Sequence, residues 1–340
     1  MKLLKILFVV FLSILSILLG ILLILVLDSI SYDENHINVV HQTVLIEGLP
    51  PEFDGFTILQ ITDLHGERFG DSEQGLTGII NSLDYDLIAF TGDMQDAGSK
   101  DFQPFLEIIR GINRKTPMYF ISGNTGPSDI HYTTSGDRYS LDMSDGIVLE
   151  AGKTLQRAGC TLLTQPQMIE RGGARLWFAT DFSQSQSNLV VKQIQQRLPH
   201  IVKQSTKDAL IKKIEYQEKL QEIYATIRPS DSLIGIFHIP LSYKTLEDPQ
   251  GLPPYDLVLA GHYHGGQIRL PYMGAIYIPD HTLPLYGLFP PQDLVSGLFV
   301  GNGIQQYVSR GVGASQHIPF LAFRLFDTPE IDLITLRTNK

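Results

Sequence analysis

One cysteine, Cys160, stands among 340 residues. A single thiol excludes a disulfide framework and a zinc site built on thiolates. Positive charge is also scarce. Twenty-six Lys and Arg face 36 Asp and Glu, for a formal charge of −10. A surface of that sign does not grip phosphate backbones, so no nucleic-acid partner is expected, although a local basic patch is allowed. Neither an internal repeat nor a low-complexity tract is present. Charged residues make up only 18% and hydrophobic ones 43%. That balance excludes disorder and fits a folded chain. The length allows one large α/β domain or two medium ones.

What is present is unevenly placed. Residues 6–27 read ILFVVFLSILSILLGILLILVL, 22 residues without a charge. Such a run is long enough to cross a bilayer as a helix. Lys2 and Lys5 precede it, and Asp28, Asp33 and Glu34 follow. Lysines favour the cytoplasmic side, so the expectation is a single-pass cell-membrane protein with its N-terminus in the cytoplasm and its body outside. A cleaved signal peptide is the competing reading, with Ser29 and Ser31 as a small-x-small site, but the run is long for a signal core. Residues 1–31 are therefore read as an anchor and residues 32–340 as one body. That body keeps 24 basic and 35 acidic side chains, a net charge of −11.

From Phe56 onward, short apolar runs alternate with helical patterns. Strands are expected at 57–62, 87–91, 118–122, 176–179, 233–237 and 257–260, and helices at 102–112 and 147–158. This rhythm implies an α/β sandwich with mainly parallel central strands. In the last quarter, 275–278, 298–301, 306–309, 321–326 and 331–336 read as closely spaced strands of a mixed sheet. Residues 187–228 break the pattern. They are polar and helix-prone, with eight basic and four acidic side chains. This stretch reads as a helical insertion: either a solvated amphipathic pair, or a basic cap facing anionic headgroups or a phosphorylated substrate.

Polar groups gather where the expected strands end, the place where open α/β sheets build sites. Asp63-Leu64-His65 follows the first strand, Gly92-Asp93 the second and Gly123-Asn124-Thr125 the third. His238-Ile239-Pro240 follows the fifth, and Gly261-His262-Tyr263-His264 the sixth. Singly, each motif is an ordinary turn. Together they supply carboxylate, amide oxygen and imidazole, a donor set for Mn, Fe, Co, Ni or Zn. One carboxylate can bridge two such ions in a hydrolytic site.

This ordered series resembles the calcineurin-like metallophosphoesterase superfamily. The segment Gly261–Pro271, the run Ser309–Gly313 and Arg324 followed by Pro329-Glu330-Ile331 are similar to its membrane-anchored bacterial branch, which includes UDP-diacylglucosamine hydrolase-like phosphodiesterases. The resemblance implies a layered α/β sandwich with mixed sheets, preceded by one N-terminal transmembrane helix, and a metal-dependent phosphoric ester hydrolase. It implies that Asp63, His65 and His264 hold one divalent ion, that Asp93 bridges, and that Asn124, His238 and His262 hold a second. Manganese or zinc is favoured, and a metal-bridged hydroxide would attack phosphorus in line. The implied substrate is a phosphodiester or pyrophosphate, lipid-linked or of the envelope; a phosphomonoesterase or a metal-binding pseudoenzyme are the alternatives.

One position departs from the family pattern. Where the family usually places a histidine after Gly-Asn, this chain has Thr125. That histidine contacts phosphate and assists the leaving group. General acid help is typically worth about 10²–10⁴-fold. His131, in the turn-rich segment that follows, is the candidate replacement acid, with His317 near Arg310 behind it.

Overall fold

The computed structural model describes residues 2–96, 101–127, 130–133, 143–180, 184–279, 283–301, 303–315 and 322–339; at 3, 4, 130–133, 143–147, 185, 284 and 286 it describes the backbone alone. Helix α1 (Lys2–Asn35) leads into β1 (Asn38–Glu47), β2 (Thr57–Ile61), α2 (Gln74–Ser82), β3 (Leu87–Phe90), α3 (Gln103–Gly111) and β4 (Met118–Phe120). Next come the hairpin β5 (Ile130–Thr133) and β6 (Met143–Val148), α4 (Glu150–Arg157), β7 (Thr161–Leu162), β8 (Gln167–Arg171) and β9 (Ala174–Ala179). A helix pair, α5 (Gln184–Arg197) and α6 (Gln204–Ala225), separates these from β10 (Ser232–Ile236), α7 (Tyr243–Glu247) and β11 (Leu257–Ala260). A short hairpin of β12 (Arg269–Leu270) and β13 (Gly274–Ala275), then α8 (Gln292–Val295), β14 (Gly297–Val300), β15 (Gln305–Val308) and β16 (Glu330–Asn339) complete the order.

Two six-stranded sheets run β1-β16-β2-β3-β4-β7 and β14-β15-β11-β10-β9-β8. Each has a parallel centre, β2-β3-β4-β7 in one and β15-β11-β10-β9 in the other. The period of two along a strand sorts side chains to opposite faces. Ile58, Leu87 and Ala89 of the first sheet meet Phe178, Ile234 and Leu259 of the second in one shared core. Their neighbours Leu59, Ile88 and Phe90 point the other way, into a core with α2 and α3. Trp177, Val258 and Ala260 form the corresponding outer core of the second sheet. The expected layered α/β sandwich with mixed sheets is therefore what the chain forms. Gln60, buried between the sheets, ties them together: its Nε2 donates to Thr91 Oγ1 at 3.1 Å and to the Ala260 carbonyl at 2.8 Å.

Three sequence expectations change. Residues 322–326 do not form a strand, although Leu325 makes one isolated bridge to Ile268. Apolar residues on either side of Arg324 mimic alternation. The guanidinium instead gathers loop carbonyls, which bends the chain around it. Of 275–278 only Ala275 belongs to a strand, and the helix expected from 147 starts at Glu150, after β6. The polar stretch forms α5 and α6. Val190 and Ile194 of α5 are buried, and Ile223, Tyr224 and Ile227 pack on the outer core of the second sheet.

Helix α1 is long and apolar enough to cross a membrane, and none of its apolar window is buried. Its last turns meet the body on one face, where Val26, Ser29 and Ile30 are half-covered and Asp33 is buried. There Phe326 N donates to Ser29 Oγ at 2.9 Å, Asp327 N to Asp33 Oδ2 at 3.1 Å and Thr328 Oγ1 to Asp33 Oδ1 at 2.7 Å.

Candidate metal centre

Every candidate ligand lies just past the C-terminal end of a parallel strand. Asp63 and His65 follow β2, Asp93 follows β3 and Asn124 follows β4, all in the first sheet. His238 follows β10, and His262 and His264 follow β11, in the second. Five of these residues adopt left-handed backbone, Asp63 (φ 54°), His65 (49°), Asp93 (50°), His262 (72°) and His264 (50°). For a residue with a Cβ that conformation costs roughly 1–2 kcal/mol. Such outliers persist where surrounding structure enforces them, and they concentrate at functional sites. Here each turn lets a strand-end side chain swing towards the other sheet.

Two glycines are required by close approach. A Cβ on Gly123 would fall 2.0 Å from Asp93 Oδ1, and one on Gly261 would fall 2.3 Å from Asp63 Oδ2. The glycine before each ligand pair is thus a steric necessity, not a turn preference alone.

The side chains converge in two groups, Asp63-His65-His264 and Asp93-His238-His262, with the ligating atoms in each group within 4.8 Å of one another. In the first, His264 Nε2 lies 3.0 Å from His65 Nε2 and 3.4 Å from Asp63 Oδ1. In the second, His238 Nε2 lies 2.7 Å from Asn124 Oδ1, 3.2 Å from His262 Nδ1 and 3.2 Å from Asp93 Oδ2. Asp93 Oδ2 is also 3.8 Å from His65 Nε2, so this carboxylate stands between the groups.

The chemistry of these contacts is unusual for a folded core. His238 Nδ1 donates to the Thr91 carbonyl at 3.0 Å, and His264 Nδ1 faces the Gly313 carbonyl at 3.3 Å. With the proton assigned to Nδ1 on that geometry, the neutral rings aim lone pairs from Nε2. Those lone pairs face carboxylate and amide oxygens, which are also acceptors. Asp63 Oδ1 and His65 Nδ1 are buried without a hydrogen-bond partner among the described residues. Acceptors packed against acceptors repel unless a cation or proton sits between them. The residues present therefore fit divalent metal.

The protonation states of Asp63, Asp93, His65 and His264 point the same way, and His238 is the exception, where a proton on Nε2 takes the place of a cation beside Asp93. Burial pushes the Asp63 carboxyl up, but the His264 and His238 imidazoles outweigh it and hold it below its ordinary value. Burial acts likewise on Asp93, and the His238 hydrogen bond leads the groups that bring it well below normal. Burial pushes His264 down to about 3, keeping the ring neutral. His65 is lowered for the same reason. His238 goes the other way: burial lowers it, but its contact with Asp93 and the carboxylate charges prevail.

Thr125 has a settled role in this geometry. Its backbone N donates to Asp93 Oδ1 at 2.8 Å, and its hydroxyl donates to the Gln95 carbonyl at 2.6 Å. The residue braces the central carboxylate, and its proton is spent on a backbone acceptor. His131 lies on β5, with its side chain outside the described residues. His317 lies outside them altogether.

The resemblance marked Gly313 and Arg324 without giving them a role, and Thr62 was missed; all three are supports. Thr62 Oγ1 donates to Asp63 Oδ2 at 2.8 Å. Gly313 N donates to the Asp63 carbonyl at 2.7 Å while its own carbonyl faces His264. Buried Arg324 fixes that loop, donating to the Gly313 carbonyl at 2.6 Å, the Arg310 carbonyl at 2.7 Å and Asp327 Oδ2 at 2.9 Å. Most of these contacts leave no local pattern, because Gly313 reaches Asp63 and His264, and Arg324 reaches Gly313 and Arg310, across more than ten residues of chain.

A family model described as calcineurin-like phosphoesterase matches residues 56–266. The uncharacterized metallophosphoesterase YkuE of Bacillus subtilis (strain 168) is 27% identical over 316 residues, which is 91% of this chain and 88% of that one. A second protein from that strain, the uncharacterized metallophosphoesterase YkoQ, is 24% identical over 270 residues, 78% of this chain and 79% of its own. The UDP-2,3-diacylglucosamine pyrophosphatase LpxG of Chlamydia muridarum (strain MoPn / Nigg) is 25% identical over 316 residues, 87% of this chain and 90% of its own. With the family model spanning more than half its length, the chain belongs to the calcineurin-like phosphoesterase family and is a metal-dependent phosphoric ester hydrolase.

Proposed function

We propose a membrane-anchored dimetal phosphoesterase that cleaves a phosphodiester or pyrophosphate bond in a lipid-linked or envelope substrate. Asp63, His65 and His264 would hold one ion and Asn124, His238 and His262 the other, with Asp93 shared. The observation that carries this reading is the double convergence of lone pairs on left-handed strand ends, a costly arrangement without cations. Manganese or zinc is favoured for this oxygen and imidazole set. When bound, two such ions supply charge stabilisation for the phosphoryl group and acidify a water.

The chain's own residues decide which bond breaks easily. The Thr125 hydroxyl donates its hydrogen bond to the Gln95 carbonyl and does not present a proton to a departing oxygen. An alkoxide departs poorly without that help, whereas a phosphate departing from a phosphoanhydride is a far weaker base. The Thr125 geometry thus favours pyrophosphate cleavage, the bond type in the name of LpxG. For an alkyl leaving group, His131 is our proposed acid.

We read residues 1–31 as the anchor, with its N-terminus cytoplasmic, and 32–340 as one extracytoplasmic catalytic domain carrying 187–228 as a helical cap. The charge step across the apolar run supports that orientation. Rates on a sugar-nucleotide pyrophosphate, an alkyl phosphodiester and a nitrophenyl phosphodiester, measured with manganese or zinc, test the proposal. We expect metal-dependent turnover that is fastest on the pyrophosphate and nitrophenyl ester, and a Thr125→His variant that gains most on the alkyl ester. A metal-loaded enzyme that prefers the alkyl ester, with no gain in Thr125→His, would refute the leaving-group argument.

A further inference from the structure

The segment that leaves the metal centre is an apolar ribbon in an acidic protein. From Gly265 to Pro291 the only Asp, Glu, Lys, Arg or His residues are Arg269, Asp280 and His281. Its parts are joined by backbone bonds. Leu325 N donates to the Gln267 carbonyl and Arg269 N to the Leu325 carbonyl, both at 3.0 Å. Strand β12 pairs with β13, and Phe289 N then donates to the Ile276 carbonyl at 2.8 Å. The result is one continuous surface, on which Leu270, Tyr272, Met273, Leu285, Phe289 and Phe326 are exposed. Leu285 is 70% and Phe289 58% accessible, values that a soluble surface does not ordinarily combine in one ribbon.

The position of this surface relative to α1 is fixed. Phe326 N is bonded to Ser29, two residues beyond the apolar run that ends at Leu27. At the helical rise, that is about 3 Å beyond the end of the apolar segment. Val26, inside the run, is already half-covered on the face that meets the body. The headgroup layer on each side of the hydrocarbon is about 5–7 Å deep. If α1 spans a membrane, the base of the body therefore stands within the headgroups, not above them on a tether. Asp33, buried and bonded to Asp327 N and Thr328 Oγ1, holds that height.

We infer that the described parts of this ribbon, residues 268–279 and 283–289, with Phe326, are a docking face for the phospholipid surface of the leaflet from which α1 emerges. The ribbon starts four residues after His264, and Arg269 Nη1 donates to the Gly265 carbonyl at 2.6 Å, so the docking face continues directly from the strand end that carries the metal centre. Exposed tyrosine and phenylalanine suit this layer, where ring bodies meet chains and polar edges meet water. The substrate class that follows is an amphiphile whose phosphoester lies at headgroup level in that leaflet. The inference rests on the reading of α1 as a membrane anchor, and the test separates the two.

The full chain, metal-loaded and reconstituted in phosphatidylcholine vesicles, carries an environment-sensitive fluorophore at Tyr272→Cys, Phe289→Cys or Leu15→Cys; native Cys160 is buried and does not compete. Spin-labelled lipids quench at known depth. Labels at 272 and 289 should be quenched most by the shallow probe, and the label at 15 by the deep one. Quenching at 15 with none at 272 or 289 overturns the docking face and leaves the anchor standing. Quenching at none of the three overturns the anchor reading and the docking face with it. A second measurement uses the Tyr272→Ser/Phe289→Ser variant. Its turnover of a vesicle-borne nitrophenyl phospholipid should fall about tenfold or more. Its rate on a soluble nitrophenyl phosphodiester should not change. Equal loss on both substrates, or loss on neither, contradicts the inference.

Discussion

Two buried polar clusters lie back to back in this protein, and they are built on opposite rules. In the metal centre, imidazole lone pairs face carboxylates, and Asp63 Oδ1 and His65 Nδ1 have no hydrogen-bond partner among the described residues. Behind it, Arg324 points its N–H groups at carbonyls and at the Asp327 carboxylate, and Arg310 Nη1 reaches Asp327 at 3.4 Å while its backbone N donates to Glu330 at 3.0 Å. Donors meet acceptors in the second cluster and acceptors meet acceptors in the first. A satisfied buried network specifies geometry; an unsatisfied one stores a demand for a ligand. The contrast shows how the loop holding His264 is kept rigid by one cluster so that the other can remain open to metal.

The largest expected effect falls on activity. Asp93→Asn keeps the shape of the side chain but removes the shared charge. Its turnover should fall by about 10²–10³-fold or more, the scale of losing one preorganised group at a reaction centre. Metal-free stability should stay within about 1 kcal/mol, because the amide can still accept from Thr125 N. A large drop in melting temperature with activity retained would reverse the assignment of the two clusters.

Next in size is Arg324→Met, which removes the nearest cation from the Asp327 carboxylate, leaving only Arg310 at 3.4 Å and Arg269 at 3.9 Å, and strands several carbonyls. Breaking a buried pair in this way costs about 3–5 kcal/mol. Urea unfolding of the metal-free protein measures it, and a loss below about 1 kcal/mol would mean that the network does not hold the loop. Asp33→Ala should cost less, about 1–3 kcal/mol, by leaving Asp327 N and Thr328 Oγ1 without an acceptor, and Asp33→Asn should restore most of it. Equal losses in the two Asp33 variants would show that the joint depends on charge, not on these bonds.

The smallest effect lies at the far ends of the strands, next to β11. Burial lifts the Asp256 carboxyl to about 6, against the hydrogen bond from Leu233 N. A raised carboxyl favours the folded state when protonated. Its contribution is full below the ordinary value of 3.8, is lost as pH rises towards 6, and is flat above that. Asp256→Asn should flatten that slope and stabilise the protein above pH 6 by about 1 kcal/mol after allowance for partial exposure. Melting curves from pH 4 to 8 decide; an unchanged slope would place the titration elsewhere.

Much of the site was legible because its signals are local. Asp63 to His65 and His262 to His264 each sit within three residues, and the glycines beside them record the close approaches at Asp93 and Asp63. Parallel strands were legible from apolar runs for the same reason. β1 was not, because it pairs with β16 from the other end of the chain, and neither strand implies the other. Arg324 was misread as the middle of a strand, since apolar alternation does not reveal a guanidinium that needs carbonyls from three loops. Helix α6, read from sequence as half of a solvated amphipathic pair or a basic cap, buries Lys213 and Gln217; Gln217 Oε1 accepts from Ser187 of α5 at 2.9 Å, so polar contacts join the pair. Left-handed backbone at five candidate ligands is only weakly signalled, because Asp and His are enriched in that conformation but most copies of either residue do not adopt it.

The unsatisfied cluster, on this reading, is a two-ion hydrolytic centre. Elemental analysis of the purified full chain, paired with the rate on a nitrophenyl phosphodiester before and after chelation, tests it most directly. The prediction is two transition-metal equivalents per chain, a rate abolished by chelation and restored by manganese or zinc, and loss of both metal and rate in Asp93→Asn. A chelated, metal-free protein that hydrolyses the ester at the full rate would contradict it.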